Sequence, residues 1–213
     1  MSYESYTNIF NAVKSELNRK DITDSQIAQF IRVAEKRCYR DLRIPPMEVK
    51  ALLTTVGPDY ENSPHDTSKT AVPKDWLETI SITDEYGRAL ESISQQQFRT
   101  LPIRAVAGDP MYFCREHLFF RFWPNIPEGE KVVCYYYKEP DAGSTTNEEP
   151  EAYHMVGEAI FYGAVAEGWR FVREPDKVQF YAGLFAQLLQ QQQALSKQSD
   201  ISGSTLISKN PYA

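Results

Sequence analysis

Long apolar runs are missing from this chain of 213 residues. No stretch approaches the roughly eighteen consecutive apolar residues that announce a membrane-spanning helix, so no membrane partner is expected. The first residues, Met-Ser-Tyr-Glu-Ser, do not form a basic segment followed by an apolar one, and no secretory leader is expected. Cysteine is scarce: Cys38, Cys114 and Cys134 are odd in number and far apart. That usage suits reduced thiols and argues against a disulfide framework. An excess of positive charge is also missing, and the formal net charge of −6 argues against general nucleic-acid affinity as the main activity. The sequence has no G-x-S-x-G elbow, Walker loop, dinucleotide fingerprint or H-E-x-x-H pair, which removes the commonest catalytic scaffolds.

What is present suffices for a folded core. Hydrophobic residues make up 42% of the chain and aromatics 13%, which excludes disorder throughout and allows one large domain or a domain with an inserted lobe. The organising stretch runs from Glu151 to Leu195. Met155, Val156, Ala159, Ile160, Gly163, Ala166 and Trp169 recur at spacings of three and four, the period of a helix. Gly157, Gly163 and Gly168 each cost about 1 kcal/mol of helix propensity against Ala, which makes sense if a second helix approaches closely. Glu174-Pro175-Asp176 restarts the chain, and Val178, Tyr181, Ala182, Phe185, Leu188, Leu189 and Leu195 form a second stripe. So short a turn requires the two helices to lie antiparallel as a spine. At the other end of the chain, a helix is expected from Tyr3 to Leu17. A second follows a capping box of Thr23 and Gln26, carries Ile27, Phe30, Ile31, Ala34, Cys38 and Leu42, and stops at Pro45-Pro46.

Between these ends the period changes. Met47-Val49-Ala51-Leu53 alternates as a half-buried strand does, and Gly57 to Lys69 reads as an exposed polar loop. Val72, Trp76 and Leu77 return to the core, Ile80 and Ile82 make a strand, and Asp84 to Gly87 is a hairpin turn. Ser94 to Leu101 is a short helix anchored by Phe98. Met111 to Arg115, Leu118 to Phe122 and Lys131 to Lys138 are further strands, and Glu139 to Pro150 is a linker. The fold expected is α+β: a helical bundle built from both chain ends (1–46 and 147–195), a β-rich insertion with its linker (47–146), and an extended C-terminal arm (196–213).

Few residues invite a chemical role. Cys114-x-x-His117 is half a zinc site without a second pair at ligand spacing; Cys134 and His65 would have to come from elsewhere. His154 and Glu158 sit one helical turn apart, the spacing of an acid–base pair but also of an ordinary solvated contact. Glu148, Glu149 and Glu151 suit the positive end of the following helix dipole. No catalytic, cofactor or metal site is expected. Two surfaces are better candidates for partners. Arg32, Lys36, Arg40 and Arg43 form a basic face on the second helix, with Arg37 beside them. The aromatic strands place rings on both faces of a sheet, and a small insertion buries only one face well. Phe119, Phe120, Phe122 and Trp123 are therefore candidates for burial against a partner, where aromatics are enriched. The same rings would also suit a carbohydrate- or ligand-binding platform.

The order of segments resembles a known family. It runs from Phe30-Ile31-Arg32-Val33-Ala34-Glu35 and Arg40-Asp41-Leu42-Arg43 to a strand ending at Thr54-Thr55. The segment Val72-Pro73-Lys74-Asp75-Trp76-Leu77-Glu78 and then Tyr162-Gly163-Ala164-Val165-Ala166-Glu167 follow, before a long last helix. Over about Ser5 to Leu195 this resembles the head-to-tail adaptors of tailed bacteriophages, in particular the tail tubular protein A type of short-tailed phages. The polar loop Gly57 to Lys69 sets this chain apart from many of them. The resemblance implies a structural virion protein, assembled in the bacterial cytoplasm as a twelve-subunit ring between the portal and a tail nozzle or tube. The β-rich part would face the tail, and DNA would pass through the ring without sequence-specific binding. Twelve copies would carry about −72 charges, so an electronegative lining that lets DNA slide is expected. The tail residues Ile201, Leu206, Ile207 and Tyr212 stand out in a segment too polar to form a core, and the resemblance makes them a portal-docking arm.

Overall fold

The computed structural model describes residues 3–57, 67–102 and 108–201, with side chains as far as 196. Both helices and strands are present, and the α+β class holds. The chain divides into two compact units, Met1–Met47 with Pro140–Ala213, and Glu48–Glu139.

The first unit is helical. Helix α1 (Tyr6–Leu17) starts three residues later than the apolar pattern suggests, because Ser5 caps it by accepting from the Asn8 amide. Glu148 completes that cap from far along the chain. Its backbone carbonyl accepts from Tyr6 N–H at 2.7 Å, and its carboxylate accepts from Thr7 N–H at 2.9 Å. Glu148 therefore serves the start of α1 and not the helix that follows it. Helix α2 (Asp24–Asp41) has the capping box in full, with Thr23 and Gln26 covering each other's amides. Helix α4 (Tyr153–Val172) is the centre of the unit, touching α1, α2 and the last helix, α5 (Pro175–Ile201). A helix that is apolar all round must be surrounded, and α4 buries Tyr153, Val156, Ile160, Ala164, Val165 and Trp169 on several sides. Its glycines make room. A Cβ on Gly163 would lie 3.0 Å from both Ala34 and Phe185, and one on Gly168 would lie 2.6 Å from Leu17. The expected spine forms, with α5 packed along α4 and α4 as its buried member. Helix α5 is peripheral, with Leu189 its only buried residue among those described.

Helix α5 also changes the reading of the chain's end. It continues through Ile201, so residues 196–201 are helical where an extended arm was expected. No Pro or Gly interrupts the chain between Gly183 and Gly203, and the helix is held at this end by two side chains. Gln193 Nε2 donates to the Asp41 carbonyl at 2.9 Å, and Ser196 Oγ to that of Arg43 at 2.6 Å. Leu206, Ile207 and Tyr212 lie outside the described residues.

The second unit is a pair of sheets. Strands β1 (Glu48–Thr54), β7 (Lys131–Lys138) and β3 (Trp76–Thr83) form an antiparallel sheet in the order β1-β7-β3. Strands β2 (Lys69–Ala71), β6 (Phe119–Trp123), β5 (Tyr112–Glu116) and β4 (Glu91–Ser92) form the other, in the order β2-β6-β5-β4. Their shared core joins Ile82, Val132, Cys134 and Tyr136 from the first sheet to Phe113, Phe120 and Phe122 from the second. The short β2 and β4 carry too few residues for a visible alternation, and β2 begins inside the stretch read as a loop. Helix α3 (Gln95–Thr100), capped by Ser94 and anchored by buried Phe98, forms where its capping residues place it.

Candidate interaction surfaces

Neither of the sequence's reactive-looking pairs forms a site. Cys114 is 2% exposed, and burial pushes its thiol up to about 11, away from the thiolate a metal needs. Among the described residues no group of metal-ligating side chains comes together. His65 lies outside the described residues. His154 is exposed and 3.9 Å from Glu4, not engaged with Glu158. Glu167 is held by Arg37 and Arg170.

One deeply buried carboxyl is hidden by the helical pattern. Glu35 lies on the buried side of α2, 1% exposed. It accepts from Tyr153 Oη at 2.6 Å and from the Gly143 amide at 2.7 Å. Desolvation holds its pKa above the ordinary value; the two hydrogen bonds, and Arg32 at 3.8 Å, offset this only in part. The cluster's role is to fasten the 140–150 segment to α2 and α4. The nearest sequence signal is the glycine: a Cβ on Gly143 would sit 1.9 Å from the Tyr153 hydroxyl.

The basic face of α2 narrows. Arg32, Lys36 and Arg40 are exposed and spaced by four, one above the other on the helix. Arg43 departs from that line. Its Nη1 donates to the carbonyls of Tyr39, Arg40 and Leu42 at 3.3, 3.1 and 2.7 Å, capping the helix end where cations are favoured.

The aromatic strand residues divide by face. Phe120 and Phe122 are fully buried in the core between the sheets, so neither can face a partner. Strand alternation places Phe119 and Trp123 on the opposite face, half-buried, with Lys69 Nζ 4.7 Å above the Phe119 ring. A stacking platform made from all four is therefore excluded. The other sheet has an outer face the sequence did not suggest. A bulge between Thr79 and Ser81 leaves Ile80 unpaired, 45% exposed, beside Tyr135 and Lys50. Leu52, on the same sheet, is 58% exposed. Ile80 and Ile82 would share a face in a regular strand, but only Ile82 enters the core.

A third surface lies among α1, α4 and α5. Tyr3, Glu16, Phe161, Tyr162, Phe180 and Tyr181 line a cleft of about 350 Å³. Tyr3 stacks on Phe161 with centroids 4.8 Å apart, and Tyr162 on Tyr181 at 6.3 Å. The Tyr181 hydroxyl donates to Glu16. Phe180 is 61% exposed at the edge. Burial first, then Tyr162, Glu158 and Glu16, raise the Tyr3 phenol; Glu16 lines the cleft and Glu158 sits one helical turn before Tyr162 on α4.

A central helix packed by others, two packed sheets and exposed aromatic side chains are what the described residues present. A family model described as SU10 adaptor protein matches residues 5–207, and the chain belongs to that family of phage head-to-tail adaptors. It is accordingly a structural component of the virion and not a member of an enzyme class. No curated protein matches the chain.

Proposed function

We propose that this chain is the subunit of a ring, twelve copies in number, that sits between the portal and a tail nozzle or tube and continues the DNA channel. The membership over residues 5–207 supports the adaptor role. The observation that carries the reading further is that each unit leaves apolar side chains uncovered. They lie on the Phe180 side of α5 and on the Leu52–Ile80–Tyr135 face of the first sheet. A protein with neighbours on several sides needs such surfaces; a free monomer does not. The tail side of the proposal rests on Phe119, Trp123 and that sheet face. Segment order supports the narrower kinship with the tail tubular protein A type.

The portal side is assigned to the last residues, Leu206, Ile207 and Tyr212, beyond the end of α5. From Ile201, twelve residues reach at most about 40 Å when extended, enough to lie along a neighbouring subunit. Assembly takes place in the host cytoplasm, in keeping with buried, reduced thiols. No helix among the described residues is long and apolar enough to cross a membrane. The test is co-expression with the neighbouring genes of its genome. Co-purification with the portal, as a ring seen by electron microscopy, is expected. A protein that never joins a portal overturns the reading.

A further inference from the structure

Resting on the ring reading above, we propose that the acidic aromatic cleft among α1, α4 and α5 of one copy receives the basic stripe Arg32–Lys36–Arg40 of the next copy's α2. Both surfaces belong to the helical unit, and their charges are of opposite sign.

The stripe is a row of cations at four-residue spacing, about 6 Å apart along the helix. Arg32 is 48% exposed and Arg40 74%, and their nearest carboxylates, Glu35 and Asp41, belong to the same helix. The cleft offers the rings of Tyr162 and Phe180 with the Glu16 carboxylate in its lining, and Glu158 lies one turn before Tyr162 on α4. Rings and carboxylates together recognise ammonium and guanidinium groups, through cation–π attraction and ion pairing. The same part of the surface already holds a cation this way, since Lys177 Nζ lies 3.7 Å over the Trp169 ring beside Phe180 and Tyr181. A stripe and a cleft on different elements of one chain pair head to tail, the type of contact that closes into rings. Because exposed ion pairs are individually weak, copies in dilute solution stay apart until something holds them side by side.

The experiment treats a mixture of isotopically light and heavy protein, concentrated and at low ionic strength, with a carbodiimide, which joins Lys36 to a carboxylate in contact. Mass spectrometry of light–heavy peptides then reads only links between copies. Links from Lys36 to Glu16 or Glu158 are expected, weakening with salt. Reversing the stripe (R32E, K36E, R40E) removes the lysine, so its effect is read by sedimentation, as is that of reversing the cleft (E16K, E158K). Each should lower self-association at least about tenfold. An equimolar mixture of the two variants should restore it, because every stripe again meets a cleft of opposite sign. Thermal melts matching the wild type confirm folding. Absent Lys36 links, or a mixture that fails to recover, overturns the pairing. So does a cleft variant that keeps its self-association in sedimentation and loses only portal capture, since the cleft then serves the portal. Capture of the portal by the wild-type chain without these links would sink the pairing and leave the adaptor role standing.

Discussion

Glu35 is the residue on which local stability turns. Its carboxyl is buried, and desolvation raises its pKa in the folded state. The stability this contributes is full below the ordinary value near 4.5 and is lost as pH rises through the raised folded value. Glu35→Gln keeps an acceptor for Tyr153 and Gly143 and carries no charge. In thermal melts across that window, the variant should gain on the wild type as pH increases. A constant difference between the two would count against a titrating Glu35. Glu35→Ala should cost far more, because two buried donors lose their acceptor at about 1–3 kcal/mol each. Gly157 offers a second residue-level test. A Cβ there would meet the Tyr3 carbonyl at 1.9 Å, a backbone atom that cannot swing aside. Gly157→Ala gains about 1 kcal/mol of helix propensity and loses about 1–3 kcal/mol to overpacking. Melting should fall by a few degrees, and a rise would show that the Tyr3 segment moves away freely.

Among the elements, α5 separates fold from assembly. Its described side chains are nearly all exposed or half-buried, yet it is tied to the end of α2 through Gln193 and Ser196. Truncation after Ile201 leaves those ties intact, so circular dichroism and melting should match the full chain. If the remaining residues grip the portal, affinity for it should drop sharply. A truncated protein that folds and binds the portal unchanged would end the arm proposal. The first sheet offers a matching test on the tail side. Leu52→Lys with Ile80→Lys changes only exposed positions and should leave melting within about 0.5 kcal/mol of the wild type. Attachment to the tail partner should weaken if that face is buried there.

For the whole molecule, the isolated protein should sediment chiefly as a monomer at micromolar concentration. Among the described residues its uncovered surfaces are divided among separate patches, with no long apolar face beyond those that build the two units. A stable twelve-subunit ring without the portal would contradict this. The net charge of −6 per chain makes an electronegative channel the expectation, because a wall of that sign repels phosphates and lets DNA slide. A virion reconstruction with a predominantly basic lining would overturn it.

By itself the sequence determined the local elements. The capping boxes at Thr23 and Ser94, the apolar period of α4 and the β7 strand from Lys131 to Lys138 depend on residues a few positions apart, and such interactions are written in the chain. It also determined that close neighbours must press on the α4 glycines. Tertiary structure alone decided matters that join distant residues. Glu148 caps α1 from 141 positions away, and Glu35 is sealed by Gly143 and Tyr153. The bulge at Ile80 turns an apparent core residue outward, while Phe120 and Phe122 vanish into the core from a row of aromatics that looks uniform in sequence. Which aromatic faces a partner is a question of strand parity and of what packs opposite. A run of adjacent rings carries neither until the sheets come together.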